Sequence, residues 1–437
     1  MEGYKVSKYT TMHKTDYGLI LFNTCSCGLI KVNEEEAKGL NPINMEAVRF
    51  LAKKNSAYRK ALIDHGFLVK NDVDEFALIK RSLYRSKYDT ARASITVNTG
   101  LACNCRCSYC YDGQAHSASS VLSHEKARDI VAFIKTVFSP ATKLSLSFLG
   151  GEPLLCFDHI KYIYSELKNV FGDVQFDITT NGVLIDKDIA KFLKTVQIES
   201  VQVSIDGLKH HHDKKRVDAK GDGTYDRIIA NVKILQDADV PVNIRTHIDK
   251  EFMDNVNFQE WVDTIKASFD FAKPIYFYIA PITTPGKGTK IADEKFIKHM
   301  VSVYEVFMEN RIPIIFDSIF SPTGSCFITS ENSFSISCDG KIYKCWQDLS
   351  AINFNNRCFG NIYDGVDWVK LINYTNSIDV LEDTECRNCT YLPMCYGNCP
   401  EYVLSGESKC TPLKHYPEKL IALFMRYKGY PLELARK

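Results

Sequence analysis

The stretch SITVNTGLACNCRCSYC, residues 94–110, decides the reading of this chain. Residues 95–99 read as a strand, and Cys103, Cys105, Cys107 and Cys110 follow it within eight residues. Read as C-x3-C-x2-C, Cys103, Cys107 and Cys110 supply three thiolates directly after that strand. Iron–sulfur clusters are held by cysteine thiolates at short spacings. Three ligands on a four-iron cluster leave one iron open to a substrate or cosubstrate. A zinc site is the competing reading, with Cys105 as fourth ligand, because structural zinc takes four protein ligands.

Outward from this stretch the chain alternates. Ser123 is placed to cap a helix reaching Phe138, with Ala127, Ile130, Val131 and Ile134 on one stripe. Strands are expected at 144–148, 174–179, 201–205, 242–247 and 275–279. Helices are expected at 157–170, from Asp186 to about 193, from Thr224 to 235, and over 254–268. Strict β/α alternation implies a parallel sheet with crossover helices. Six units fit an incomplete barrel better than eight-fold closure, so the expected class is α/β with a partial (β/α)6 TIM-like barrel.

The flanks differ. Residues 1–92 read as a unit of their own, with strands at 17–24 and 29–32 around a CSCG turn, helices near 45–53 and 55–65, and a short strand at 67–69. This layout resembles a winged-helix-like peptide-binding module; a packing extension of the barrel is the alternative. After residue 316, glycine, asparagine and cysteine dominate and helical periodicity is lost until a helix at 418–427. About 100 residues with little apolar periodicity need another source of stability, and metal clusters supply one. The expected domains are 1–92, the barrel at 93–315, a metal-cluster domain at 316–416 and a helical tail at 417–437.

Composition narrows the function. A chain of 437 residues has a prior of about three domains. Lys+Arg 54 against Asp+Glu 53 leaves a net charge of +1, which gives no support to nucleic-acid or anionic-membrane binding. No apolar run is long enough for a membrane span. The opening MEGYKVSKYTTMHK lacks the apolar core of a signal peptide, so a cytosolic location is expected. In that setting, 16 clustered cysteines favour metal ligation over disulfides.

With Tyr109 in the aromatic place before Cys110, the triad resembles the C-x3-C-x-aromatic-C signature of the radical S-adenosylmethionine (SAM) superfamily. Gly150-Gly151-Glu152-Pro153 after the second strand is similar to that family's GGEP motif. Thr179-Thr180-Asn181-Gly182 and Ser204-Ile205-Asp206-Gly207 follow the third and fourth strands. Ligands of α/β barrels bind at the C-terminal ends of the strands, so one face is expected to carry all of these motifs. The resemblance implies that Gly150 and Gly151 let backbone approach the SAM ammonium, that Glu152 offsets charge there, and that Ser204 and Arg216 bind the SAM carboxylate. Arg227 and Arg245 compete with Arg216. Asn181 is expected on the ribose or carboxylate, and Ala280 and Pro281 near the adenine. The implied chemistry is reductive cleavage of SAM to a 5′-deoxyadenosyl radical that removes a hydrogen atom from substrate.

The late cysteines resemble the SPASM extension. Cys326 precedes Gly340-x4-Cys345, and Cys386-x2-Cys389-x5-Cys395-x3-Cys399 is followed by Cys410. The resemblance implies two auxiliary four-iron clusters, hence three [4Fe-4S] clusters in all. Cys326, Cys345 and Cys399 are expected on the first auxiliary cluster, with Cys338 the best fourth candidate or an open iron in its place. Cys386, Cys389, Cys395 and Cys410 are expected on the second. The implied activities are modification of a ribosomally made precursor peptide, by a thioether or carbon–carbon cross-link, or oxidation of Cys or Ser to formylglycine. A non-catalytic electron carrier is the third reading, although a carrier needs neither an open iron nor GGEP. The N-terminal unit favours the first, with the precursor held through its leader and electrons supplied by a flavodoxin or ferredoxin. Formylglycine-forming relatives place a basic Asp directly after the cysteine equivalent to Cys345. Here that residue is Trp346, and Asp348 is the expected proton acceptor.

Overall fold

The computed structural model describes residues 3–32, 46–54, 56–110, 112, 121–282, 294–316, 326–349, 357–397, 399–400, 404 and 410–429. The chain forms two compact units, neither continuous in sequence. One comprises Met1–Lys87, Phe316–Cys326 and Ile378–Lys437, and the larger comprises Tyr88–Ile315 and Phe327–Ser377.

In the smaller unit, β1 (Tyr4–Val6) pairs with β5 (Leu68–Lys70), and β2 (Thr10–Thr15), β3 (Gly18–Asn23) and β4 (Gly28–Val32) form an antiparallel meander. Helices Glu46–Lys54 and Ser56–Asp64 lie between β4 and β5. Strands β3 and β4, both helices and the closing strand match the expected layout. Strand β2 was not expected because TTMHKT carries a single apolar residue, Met12; its conformation comes from pairing with β3. Helix Glu75–Lys87 was also not expected. It buries Ile79 and Leu83 in a cluster with Tyr9, Leu381 and Leu392, and Lys87 Nζ pairs with Asp379 at 2.9 Å. Full burial of a leucine is worth about 1.5–3 kcal/mol, so N-terminal residues support the segment that carries Cys386–Cys395.

The larger unit holds β6 (Arg92–Asn98), β7 (Lys143–Leu149), β8 (Asp173–Thr180), β9 (Ser200–Ser204), β10 (Val242–Ile248) and β11 (Ile275–Pro281), all parallel and adjacent in chain order. These are the six strands expected. The sheet continues to eight strands because β12 (Ser333–Ile336) joins β6 in parallel and β13 (Ile342–Tyr343) pairs antiparallel to β12. The helix expected over 254–268 is two, Lys250–Asn255 and Phe258–Ser268. Each starts on its own cap: Asp249 accepts from Phe252 N and Asn257 from Glu260 N.

One face of this sheet packs against helices, with Phe148 and Tyr164 in ring contact with Phe176. The opposite face is polar, carrying Thr96, Ser147, Asp177, Gln202, Arg245 and Tyr278 at alternating positions. Parallel strands packed on both faces read as near-continuous apolar runs. The alternation here marks the second face as a working surface.

Candidate active site

Loops at the C-terminal ends of β6 to β9 converge on the cysteine segment. Gly151 N donates to Gly100 O at 2.8 Å and Glu152 N to Ala102 O at 2.9 Å. From the other side, Arg106 N donates to Val217 O at 2.7 Å and Ser108 N to Lys215 O at 2.9 Å. The glycines serve this packing. A Cβ on Gly151 would lie 2.4 Å from Ala102 O and 2.5 Å from Leu101 O, and one on Gly150 would lie 2.7 Å from Gly100 O. The lack of a side chain that would let their backbone approach a ligand also permits this close approach of two protein loops.

Glu152 is buried and accepts from Leu154 N (2.9 Å), Thr180 Oγ1 (2.7 Å) and Asn181 N (2.7 Å). Burial raises its carboxyl to about 7, against the pull of these bonds. It staples the loop after β7 to the loop after β8. Asn181 in turn donates through Nδ2 to Asn104 Oδ1 at 2.7 Å and lies 3.7 Å from Cys103 Sγ. Both residues therefore position the cysteine loop.

The thiols of Cys103, Cys107 and Cys110 lie near enough to perturb one another. Burial, reinforced by the neighbouring thiols, raises Cys110 to about 11. Among the described residues, no three Cys, His, Asp or Glu side chains are drawn together closely enough to hold a single metal ion.

Tyr109 opens a buried polar network. Its hydroxyl donates to Asp206 Oδ2 and accepts from Arg216 Nη1 at 2.7 Å. Asp206 Oδ1 also accepts from the His247 backbone N–H at 3.0 Å and faces His247 Nδ1 at 3.1 Å. Burial alone would raise Asp206, but His247, Arg216 and His212 overcome it and hold the carboxyl well below the usual range. The tautomer of His212 follows from its partners. Thr224 Oγ1 gives its single proton to Arg216 O at 2.9 Å, so it accepts from His212 Nε2 at 3.0 Å. Nδ1 then accepts from Asp206 N at 3.2 Å. An imidazole so placed is neutral, in accord with burial and Arg216 lowering it to about 3.

Arg216 is thus engaged with Tyr109 rather than presenting a free fork. Its Nε is nevertheless buried without an acceptor among the described residues, and so is Nε of Arg245. Arg245 stands beside Ser204 in the β9–β10 register. Buried donors without acceptors beside a strand-end serine fit a carboxylate-bearing cofactor. Arg227 lies exposed on helix Tyr225–Asp237. Sequence reasoning quoted Asp206 within its motif without assigning it, and missed His247. A titratable residue at the C-terminal end of a barrel strand is the signal that marks it.

The later cysteines separate by unit. Cys386, Cys389, Cys395 and Cys410 line one cavity of the smaller unit, together with Tyr391 and Lys414. Lys414 Nζ donates to Cys410 Sγ at 3.5 Å, and Asp383 caps the helix bearing Cys386. Four thiols around one cavity fit a four-cysteine cluster. Cys326 and Cys399 also belong to the smaller unit, and Cys338 and Cys345 to the larger. Cys338 lies beyond Ile336 at the turn of the β12–β13 hairpin, and Cys345 beyond Tyr343 at its open end. Asp348 is fully buried, with Oδ1 2.9 Å from Arg357 Nη2. Among the described residues, no helix is long and apolar enough to cross a membrane.

Residues 97–267 match the family profile described as Radical SAM superfamily. The cysteine-type anaerobic sulfatase-maturating enzyme of Clostridium novyi (strain NT) is 28% identical over 339 residues, covering 68% of this chain and 84% of that protein. The structure of native anSMEcpe with bound AdoMet and Cp18Cys peptide aligns with a TM-score of 0.58 at 19% identity, covering 79% of this chain and 99% of that one. Streptococcus suis SuiB bound to precursor peptide SuiA aligns with a TM-score of 0.50 at 18% identity, covering 94% and 98%. At such identities the two structures establish a common fold. The family match falls on the strands whose ends carry the cysteine triad and its bracing loops, so residues 97–267 form a radical SAM domain, in an enzyme related to the SPASM-type maturases.

Proposed function

We propose that this enzyme modifies a ribosomally made precursor peptide, forming a thioether or carbon–carbon cross-link. SAM bound at the cluster of Cys103, Cys107 and Cys110 supplies the hydrogen-abstracting radical. The chain's own residues hold that cluster loop between the β7 and β8 loops and the 215–219 segment, and offer Ser204, Arg245 and Arg216 Nε to the SAM carboxylate. The second auxiliary cluster is assigned to Cys386, Cys389, Cys395 and Cys410. The first is assigned to Cys326, Cys345 and Cys399, with Cys338 or an open iron in the fourth place. Electrons come from a flavodoxin or ferredoxin in the cytoplasm.

The observation that carries the peptide reading is the N-terminal meander with its two helices and closing strand. Such a module accepts an extended leader by strand addition, where main-chain bonds give affinity. The fold shared with peptide-bound SuiB spans 94% of the chain. A second reading, formylglycine formation, is favoured by the 28% identity to the sulfatase-maturating enzyme. Mass spectrometry of the peptide after turnover separates them. A product two hydrogens lighter with sulfur retained and one cysteine no longer alkylatable supports a thioether. An alkylatable cysteine with the same loss supports a carbon–carbon link, and an aldehyde with sulfur lost establishes the second reading.

A further inference from the structure

Three strands carry one row of hydrogen-bonding side chains across the polar face of the larger unit's sheet. In the register of β6, β7 and β8, Thr96 lies beside Ser147, and Ser147 beside Asp177. Trp346 Nε1 donates to Thr96 Oγ1 at 3.1 Å, and Ser147 Oγ donates to Asp177 Oδ2 at 2.6 Å. Trp346 is 48% exposed, so its indole borders the row without being sealed in the core. Neighbouring strands are about 4.8 Å apart, which separates Thr96 from Asp177 by roughly 10 Å.

Asp177 is set apart from the other carboxylates nearby. Asp173, at the start of the same strand, is exposed and pairs with Lys143 at 3.6 Å. Asp348 is fully buried against Arg357. Asp206 is paired with His247. Asp177 has no cationic partner among the described residues, and the charge acting on it, Glu199, has its own sign. Burial raises its carboxyl to about 6, the Ser147 bond opposing and Glu199 reinforcing the rise. An acid without a counter-charge on a partly buried sheet face costs stability, and a proton-exchanging group works best with a pKa near the working pH.

We propose that Asp177 accepts the proton that the substrate releases as its new bond closes, with the reacting residue held between Asp177 and the Trp346 indole. The inference rests on the peptide cross-linking reading. The substrate loses two hydrogens. One leaves a carbon as an atom and ends on the 5′-deoxyadenosyl carbon. The other leaves the bonding partner atom as a proton to Asp177, and the surplus electron passes to a four-iron cluster.

The test uses the full chain, reconstituted with iron and sulfide, and a synthetic cysteine-containing precursor peptide. Asp177→Asn is expected to leave iron content and peptide-free SAM cleavage unchanged while cross-linked product falls about 10²-fold or more. Asp177→Glu is expected to recover part of it. The product-forming rate of the native enzyme is expected to fall as pH drops through about 6, and the slope to vanish in Asp177→Asn. Ser147 faces Asp177 from β7, and Ser200 and Glu199 face it from the start of β9. Glu199→Gln, the one other titratable side chain there among the described residues, is expected to keep the slope. On the reconstituted enzyme without SAM, the dissociation constant of the labelled peptide, read by fluorescence anisotropy, is expected to change less than twofold in Asp177→Asn. A tenfold loss of binding there makes Asp177 an anchor for a cationic side chain and overturns the proposal, as does product within threefold of the native enzyme. A native enzyme that leaves the peptide untouched overturns the peptide reading itself, a result distinct from either.

Discussion

Replacing Gly151 by alanine tests whether the glycine pair serves protein packing. The added methyl would meet Leu101 O and Ala102 O at 2.5 and 2.4 Å, with Ala102 C at 2.8 Å. All three are backbone atoms and cannot rotate away. Relief requires the β7 loop to back off, which breaks Gly151 N to Gly100 O and Glu152 N to Ala102 O. Two hydrogen bonds at about 1 kcal/mol each, with about 1–3 kcal/mol of overpacking, give roughly 3–5 kcal/mol. In urea unfolding of the metal-free chain, followed by circular dichroism, that is a midpoint lower by about 1 M or more at a slope of about 3 kcal/mol per M. Gly172→Ala is the control. Its Cβ would lie 3.7 Å from Thr142 O, ordinary contact, so the change is expected to be neutral or stabilising by up to about 1 kcal/mol. A Gly151→Ala midpoint within about 0.2 M of the native chain would refute the loop-packing account.

Replacing Cys103, Cys107 and Cys110 together by alanine is expected to remove about four irons per reconstituted chain and abolish SAM cleavage, measured by iron assay and chromatography of 5′-deoxyadenosine; surviving cleavage sinks the triad. Leu83→Ala opens the cluster shared with Leu381 and Leu392. It is expected to cost about 2–4 kcal/mol and to speed chelator removal of iron from the Cys386–Cys410 site, while iron at the triad is retained. His212 binds its proton more weakly folded than unfolded, about 3 against 6.5. The unfolded chain holds more protons within that window, so this contribution is fully present above 6.5 and is lost as pH falls toward 3. His212→Gln is expected to flatten that part of the pH dependence of the unfolding midpoint, and an unchanged profile counts against the neutral tautomer.

Periodicity and short spacings are local, so the sequence by itself determined the six parallel strands, the caps at Ser123 and Asp186, and the grouping of Cys386, Cys389 and Cys395. Each depends on neighbours within a few residues, which fix hydrogen bonding and side-chain direction without reference to the rest of the chain. It also located the motifs at strand ends, because α/β alternation places those ends on one face. Partners distant in the chain were beyond it. Tyr109 and Arg216 are 107 residues apart when they meet, and only that meeting shows that Arg216 is engaged and Asp206 buried. The packing role of Gly151 also emerged only once the fold brought Leu101 and Ala102 within 2.5 Å of its Cβ position. Strand β2, poor in apolar residues, took its conformation from β3. Asp177 looked like any polar residue of an alternating strand. The β6–β7–β8 register, set by the packing of whole strands, put it in one row with Thr96 and Ser147, and burial without a counter-charge made it distinctive.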